Sequence, residues 1–217
     1  KVVLSVVIIL LMLTCFNCQK EGKAVLRGPY LGQKLPSDNP VIFAPGIVST
    51  GLFERDLAIT PDGKELYFCV VMGNFKVSKI MVMKQENGIW SGPRVAPFSM
   101  NGQYRDIEPA ISPDGKKFYF VSDRPNNREE EKNFDIWTMD KVGDGWGEPY
   151  NLGFPINSEH NEYFPSLTTD NTVYFTRRLN GERADHIYRS RIEDGNYLEV
   201  EKLGANVNSG QAEFNAY

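Results

Sequence analysis

Cysteine, histidine and clustered positive charge are all scarce in this chain. Its 217 residues include three cysteines and two histidines. Cys15 and Cys18 lie together near the N-terminus and Cys69 stands alone in an apolar run, so no intramolecular disulfide framework is expected. His160 and His186 share no spacing with cysteine that would suit zinc, and neither a Ser/His/Asp motif nor a glycine-rich phosphate loop is present. No metal or cofactor is therefore implied. The 24 basic and 28 acidic residues give a formal charge of −4 without a basic cluster. Nothing would neutralise a phosphate backbone, so nucleic acid is not an expected partner. No apolar run approaches the roughly 20 residues that cross a bilayer. What is present is 41% hydrophobic, 12% aromatic and 24% charged, a composition with enough apolar material for one globular domain or part of a larger one.

After Lys1, the run from Val2 to Leu13 has only Ser5 as a polar residue, the length of a signal-peptide apolar region. It stops at Thr14-Cys15-Phe16-Asn17-Cys18 and turns polar at Gln19-Lys20-Glu21. This pattern resembles the lipobox of bacterial lipoproteins, whose first mature residue is an acylated cysteine. The resemblance implies a lipoprotein signal peptide over residues 1–18, with Cys18 lipidated or, alternatively, Cys15. It also implies attachment to a membrane of the bacterial cell envelope, periplasmic or outer, since several acyl chains suffice for stable anchoring. Asn17 and Thr14 depart from the small residue that usually precedes the acylated cysteine, and a plain secretory peptide is the competing reading. Residues 19–42 contain Gly22, Gly28, Pro29, Gly32 and Pro36 without periodicity and read as a tether.

An internal repeat dominates the remainder. Asp56 to Phe68 matches Glu108 to Phe120 at an offset of 52, and Phe164 to Phe175 follows at 56 and then 55. Ile80, Ile136 and Ile187 open matching segments, and Trp90, Trp146 and Tyr197 hold matching aromatic positions. A further copy opens at Glu213. In Ser112-Pro113-Asp114-Gly115, proline presets φ, aspartate accepts a backbone hydrogen bond and glycine supplies positive φ. Asn171, at the glycine position of the third copy, also tolerates the left-handed region. The flanking runs Leu66 to Val71, Phe118 to Val121 and Val173 to Thr176 are rich in β-formers, so each turn joins a hairpin.

These strands are apolar on both parities, Phe118 and Phe120 facing one way and Tyr119 and Val121 the other. A strand buried on both faces belongs to a sheet held between two sheets. Four short strands per unit, copied in tandem, predict an all-β fold, a β-propeller of four-stranded antiparallel blades. Its units cover about 43–99, 100–155 and 156–207, with another opening at 208–217. A β-sandwich would not require units to recur in register. Propellers close with about four to eight blades, so three complete units are expected to form part of a larger ring.

The repeated Ser/Thr-Pro-Asp-Gly-Lys-x-apolar-Tyr-Phe motif, with Ser122-Asp123-Arg124 after the second strand and Asp135-Ile136-Trp137 on the third, resembles the TolB-type, WD-repeat-like β-propeller family over residues 43–217. The stretch from Asn151 to Pro165 is similar to blade junctions of envelope lipoproteins in that group. The resemblance implies six blades and a scaffold that binds an envelope protein, peptidoglycan or another glycan. The first copy departs from it, with Val70-Val71-Met72-Gly73 in place of Ser-Asp-Arg.

Aligned units place Glu54, Asp106, Glu162 and Glu213 in one column, at the start of the innermost strand. Converging there, they would form a carboxylate ring for a cation or basic peptide; alternatively, each accepts hydrogen bonds from its neighbouring blade. Asp123, Arg124, Arg177 and Arg178 are expected in loops after the second strand, either clamping a carboxylate or sugar acid or forming Arg–Asp pairs that order the loop, Asp135 included. Arg128 to Lys132 reads as a solvated loop tip. No catalytic residue is evident, and Asp114 and Gly115 are adjacent, unlike the spacing of a sialidase Asp-box. The expected role is binding or assembly; the alternative is a propeller-type glycosidase or polysaccharide lyase, or the propeller domain of a larger hydrolase. If the lipobox reading holds, radiolabelled palmitate enters the full-length protein and labelling disappears in Cys18→Ala; persistent labelling moves the assignment to Cys15.

Overall fold

The computed structural model describes residues 26–126, 133–210 and 212–216. The expected signal peptide with Cys15 and Cys18, and the run from Arg128 to Lys132, lie outside the described residues.

Turn chemistry organises each unit. The hydroxyls of Thr60, Ser112 and Thr168 donate to Asp62, Asp114 and Asp170 at 2.7, 2.7 and 2.5 Å. The same carboxylates accept the backbone N–H groups of Lys64, Lys116 and Thr172 at 3.1, 3.0 and 3.1 Å. Gly63, Gly115 and Asn171 take φ of 69°, 71° and 61°, so asparagine preserves the corner where glycine is missing.

Blade one comprises β1 (Phe53–Ile59), β2 (Glu65–Met72) and β3 (Val77–Glu86), with β4 (Ile89–Trp90) and β5 (Arg94–Val95) both paired to β3. Blade two repeats this with β6 (Asp106–Ile111), β7 (Lys117–Ser122), β8 (Asp135–Val142), β9 (Gly145–Trp146) and β10 (Tyr150–Asn151). Blade three has β11 (Asn161–Leu167), β12 (Val173–Arg178), β13 (His186–Ser190), a short hairpin of β14 (Ile192–Glu193) and β15 (Asn196–Tyr197), and β16 (Glu201–Lys202) against β13. Every strand pair is antiparallel. The inner strands β1, β6 and β11 are neighbours. These are three consecutive blades of an all-β propeller.

Two-sided burial holds the blades together. Five successive residues of β7, Phe118 to Ser122, are buried, and one apolar cluster runs through all three blades, from Tyr67, Cys69 and Ile80 through Phe118, Phe120 and Met139 to Val173, Phe175 and Tyr188. Burying each of these large side chains stabilises the fold by about 1.5–3 kcal/mol relative to exposure. Polar clasps mark the seams. Trp146 Nε1 donates to Tyr67 Oη at 2.8 Å, and the hydroxyls of Tyr119 and Tyr197 meet at 3.0 Å. Trp90, at the matching position of blade one, donates instead to the Gly28 carbonyl at 2.8 Å.

That contact involves residues within the stretch read as a tether. Of the described part, Leu31 is buried and Leu26 partly so, in a second cluster with Leu66, Phe68, Met83 and Trp90 on the outer face of blade one. Glycine and proline signal the absence of regular structure, which leaves isolated leucines free to pack. Gly115→Val tests the turn. The added Cβ would meet only Pro61, at an ordinary 3.5 Å, so the loss comes from forcing a β-branched residue to positive φ. Denaturant unfolding is expected to show about 1 kcal/mol or more of destabilisation, and an unchanged midpoint would remove this account.

Candidate functional site

Glu54, Asp106 and Glu162 lie at the starts of β1, β6 and β11, and the side-chain hydrogen bonds described here come to them from their own units. Glu54, Glu162 and Glu213 each bind the Ser or Thr four residues earlier, through both hydroxyl and backbone N–H of Thr50, Ser158 and Ser209. Asp106 accepts from Ser122 Oγ at 2.7 Å. Arginine completes two of the four. Arg124 reaches Asp106 at 3.1 Å and also the Phe98 carbonyl. Arg177 reaches Glu162 at 2.7 Å and the Ile156 carbonyl at 2.8 Å.

Each of these arginines ties the start of an inner strand to the preceding junction turn. Asp106 and Glu162 are wholly buried, and a ligand would have to break these pairs to reach them. Burial pushes the Glu162 carboxyl up to about 7, against the opposing pull of Ser158 and Arg177. The residue opposite the column carboxylate changes with the blade, being Val70 opposite Glu54, Ser122 opposite Asp106 and Arg177 opposite Glu162. The remaining expected residues are also paired. Asp123 holds Arg105 at 2.8 Å, Arg178 grips Asp185 through two bonds of 2.7 and 2.6 Å, and Asp135 accepts from Asn151 at 2.7 Å. Arg177 and Arg178 lie within β12 rather than in the loop after it.

Two residues further along, a different column emerges. The register of β1, β6 and β11 slips once each, at Arg55/Ala58, Ile107/Ala110 and Tyr163/Ser166. At each slip one non-glycine residue is left-handed: Asp56, Glu108 and Phe164, at φ of 55°, 56° and 52°, with Asn215 at 66° in the next copy. A β-bulge re-aims side chains and disrupts pairing, and such backbone is disfavoured for L residues. Its recurrence makes the bulge a property of the unit. The side chain it presents changes from blade to blade.

Glu108 and Phe164 help line a cavity of about 560 Å³, together with Arg55, Phe75, Phe134, Tyr163, Arg178, Asp185 and Phe214. Arg55 joins its charges and rings. Its guanidinium lies 2.5 Å from Asp56, 3.2 Å from Glu108 and 5.2 Å from the Phe164 ring centre. Phe164 in turn stacks on Phe214 at 5.7 Å. Glu108 also accepts the Phe164 backbone N–H at 2.6 Å, while its own N–H donates to Cys69 Sγ at 3.2 Å. Burial dominates Glu108: despite the donors, its carboxyl is pushed up to about 8. Asp56 is raised for the same reason, with Arg55 opposing. Burial drives Asp185 upward too, but bonds from Arg178 and Tyr163 hold it below the usual range. Cys69, buried and with its thiol pushed up by desolvation, is inert packing, as its apolar run implies.

A larger hollow, about 750 Å³, is lined by Tyr174, Ile187, Leu203 and Val207 of blade three and by Leu57, Ala110 and Leu167 of the inner strands. It is the apolar side of a blade, equivalent to surfaces that blades one and two bury in their seams, and it offers few groups to orient a small ligand. Among the described residues, no group of three or more His, Cys, Asp or Glu side chains is placed to hold a metal ion. His160 accepts from the Asn180 N–H at 3.1 Å, and His186 lies 3.8 Å from Glu213.

The raised Glu108 carboxyl sets a pH dependence. Folded, it keeps its proton to about 8, against 4.5 as the ordinary value. Between those values the folded chain binds more protons than the unfolded one, so its stability contribution is full in acid and is lost as pH rises through that window. Glu108→Gln removes the penalty. Urea titrations at about pH 5 and about pH 9 are expected to show the variant gaining on the wild type at the higher pH; an equal difference at both would sink the assignment.

No protein-family model matches the chain, and no curated protein does. Among solved structures, a protein assigned as TolB from Agrobacterium tumefaciens is similar over 71% of this chain and 50% of its own, at 20% identity and a TM-score of 0.47. A puromycin hydrolase is similar over 70% of this chain and 22% of its own, at 11% identity and a TM-score of 0.48. A prolyl endopeptidase is similar over 70% and 22%, at 17% identity and a TM-score of 0.45. The chain spans half or less of each of these structures. They are likenesses of fold; the architecture itself rests on the three blades.

Proposed function

We propose that this chain is the binding domain of an envelope lipoprotein anchored through Cys18, and that the cavity around Arg55, Glu108 and Phe164 takes a peptide segment of a partner protein. The observation that carries this reading is the combination, in one cavity, of four phenylalanines with charges that are already paired. Arg55 faces Asp56 and Glu108, and Arg178 faces Asp185. A site so compensated has little long-range pull on a charged ligand, whereas an apolar or aromatic side chain entering among Phe75, Phe134, Phe164 and Phe214 buries surface on every side. The carboxylates and guanidinium groups at its rim would meet backbone amides of the same segment.

One feature favours the enzyme reading of a propeller-type glycosidase, polysaccharide lyase or hydrolase-associated propeller. Glu108 is a buried carboxyl that holds its proton at neutral pH, as a general acid does. Random-peptide phage display on the natural full-length protein separates the two readings. Clones carrying an aromatic residue are expected to be enriched and to bind about tenfold more weakly to Phe164→Ala and Phe75→Ala. Absence of enrichment, together with turnover of a glycan panel that is lost in Glu108→Gln, would replace the binding role by catalysis.

A further inference from the structure

The residue just before the column carboxylate changes from unit to unit: Phe53 in blade one, Arg105 in blade two and Asn161 in blade three. In the later blades its side chain is tied down. Arg105 is held by Asp123 at 2.8 Å with its guanidinium 4.4 Å from the Phe134 ring centre, and Asn161 Oδ1 accepts the Phe134 N–H at 3.0 Å. Blade one has Val71 where blade two has Asp123. Phe53 pairs in register with that valine and is 54% exposed, so a bare ring stands where the other units place a bonded polar group.

Beside it, residues Gly73–Lys76 connect β2 to β3, the shortest of the three connections between second and third strands. Gly73, Asn74 and Phe75 take φ of 60°, 53° and 63° in succession. Glycine and asparagine accept that region, whereas a phenylalanine there is strained. Strain of this kind persists only where the surroundings over-determine it, and it clusters at ligand clamps. Its effect here is to lay the Phe75 ring edge-on to Phe53, centroids 5.7 Å apart, and 5.6 Å from the Arg55 guanidinium. Arg55 also lies 6.0 Å from the Phe53 ring and 5.2 Å from that of Phe164, which stacks on Phe214. Two ring pairs therefore share one guanidinium, with Phe75 on the cavity wall and Phe53 on the rim outside it. Through Arg55, Phe53 and Phe164 lie within roughly 11 Å of each other, about three residues of extended chain.

The strained loop ends on a charge. Lys76 is exposed, and among the described residues no carboxylate lies within ion-pairing distance of it, whereas Arg55 is compensated by Asp56 and Glu108. Resting on the reading of the cavity as a peptide site, we infer that the partner's segment is bipartite: an aromatic residue enters the cavity, a second apolar residue two or three positions away covers Phe53, and an acidic residue beside the second faces Lys76. Complementarity identifies this occupant. An uncompensated cation next to an exposed ring matches a carboxylate next to an apolar side chain, and the Gly73–Lys76 loop holds both in place before binding, which lowers the cost of ordering them. The rim thus supplies the selectivity that the charge-balanced cavity lacks.

Random-peptide phage selected in parallel on the natural full-length protein and on its Phe53→Ala and Lys76→Glu variants tests this, both substitutions falling at exposed side chains. Clones from the wild type are expected to share an aromatic residue, a second apolar residue two or three positions from it, and an acid adjoining the second. Selection on Phe53→Ala is expected to keep the aromatic and lose the second apolar position, and selection on Lys76→Glu to replace the acid by lysine or arginine. A synthetic peptide of a wild-type clone is expected to bind Phe53→Ala about tenfold more weakly, and its preference for wild type over Lys76→Glu to fade at about 0.5 M salt. Clones that share a single aromatic and are the same for all three proteins overturn the bipartite segment and leave the peptide site standing. Enrichment on none of the three overturns both.

Discussion

Central strands that are apolar on both faces impose the constraint from which the rest of this structure follows. A sheet carrying Phe118 and Phe120 on one side and Tyr119 and Val121 on the other is unstable unless both sides are covered. Covering both sides with further copies of the same sheet creates new bare faces at the ends of the row. Every conspicuous feature outside the blades answers that demand at one end. Leu26 and Leu31 lie over Leu66 and Phe68, and the Gly28 carbonyl takes the indole N–H of Trp90. The hollow beside Tyr174 and Ile187 is the same demand at the other end.

Stacking also explains where variation is tolerated. The bulge recurs at one position of every inner strand, and the arginine–carboxylate ties of blades two and three recur at another. Both fix backbone that the stack needs. The side chain displayed at the bulge differs from unit to unit, being aspartate, glutamate, phenylalanine or asparagine, and its contacts to the neighbouring units differ with it. Chemistry in this fold is therefore expected where the backbone is most repetitive and the side chain least so. Asp56 and Glu108 around Arg55, with Phe164 over it, meet that description; Asp106 and Glu162, locked to their arginines, do not.

Sequence legibility followed the same division. The hairpin corners were readable because Asp114 and Gly115 act on atoms two or three residues away. The blades were readable because two-sided burial leaves its trace in each strand. The cavity was not. Its aromatic and charged residues come from separate units, and the slip at Ile107/Ala110 turns Glu108 toward them in a way that no local composition announces. The available signal was the column Asp56, Glu108, Phe164, whose changing chemistry at a fixed repeat position stood out beside the steadier acids two residues earlier. The particular partners of the arginines were not legible for a related reason. Arg124 lies next to Asp123 in sequence, but in the loop just after β7 the two diverge, Arg124 reaching Asp106 at the start of β6 while Asp123 turns back to Arg105.

The seams show how polar groups can be carried inside such a stack. A buried tyrosine hydroxyl or indole N–H left without a partner would forfeit about 1–3 kcal/mol, an appreciable part of the gain from burying the ring itself. Here Tyr67 and Tyr119 bring their hydroxyls to the seam edge, where a ring of a following unit supplies a partner. Tyr67 meets Trp146 and Tyr119 meets Tyr197, so each blade is completed only by its successor. Trp90 obeys the same rule with a backbone carbonyl from residues 26–33, a substitution that works because an indole N–H asks only for an acceptor. A tyrosine hydroxyl or a carbonyl oxygen serves it equally well, which lets the same blade accept either a neighbouring sheet or a strap of irregular chain.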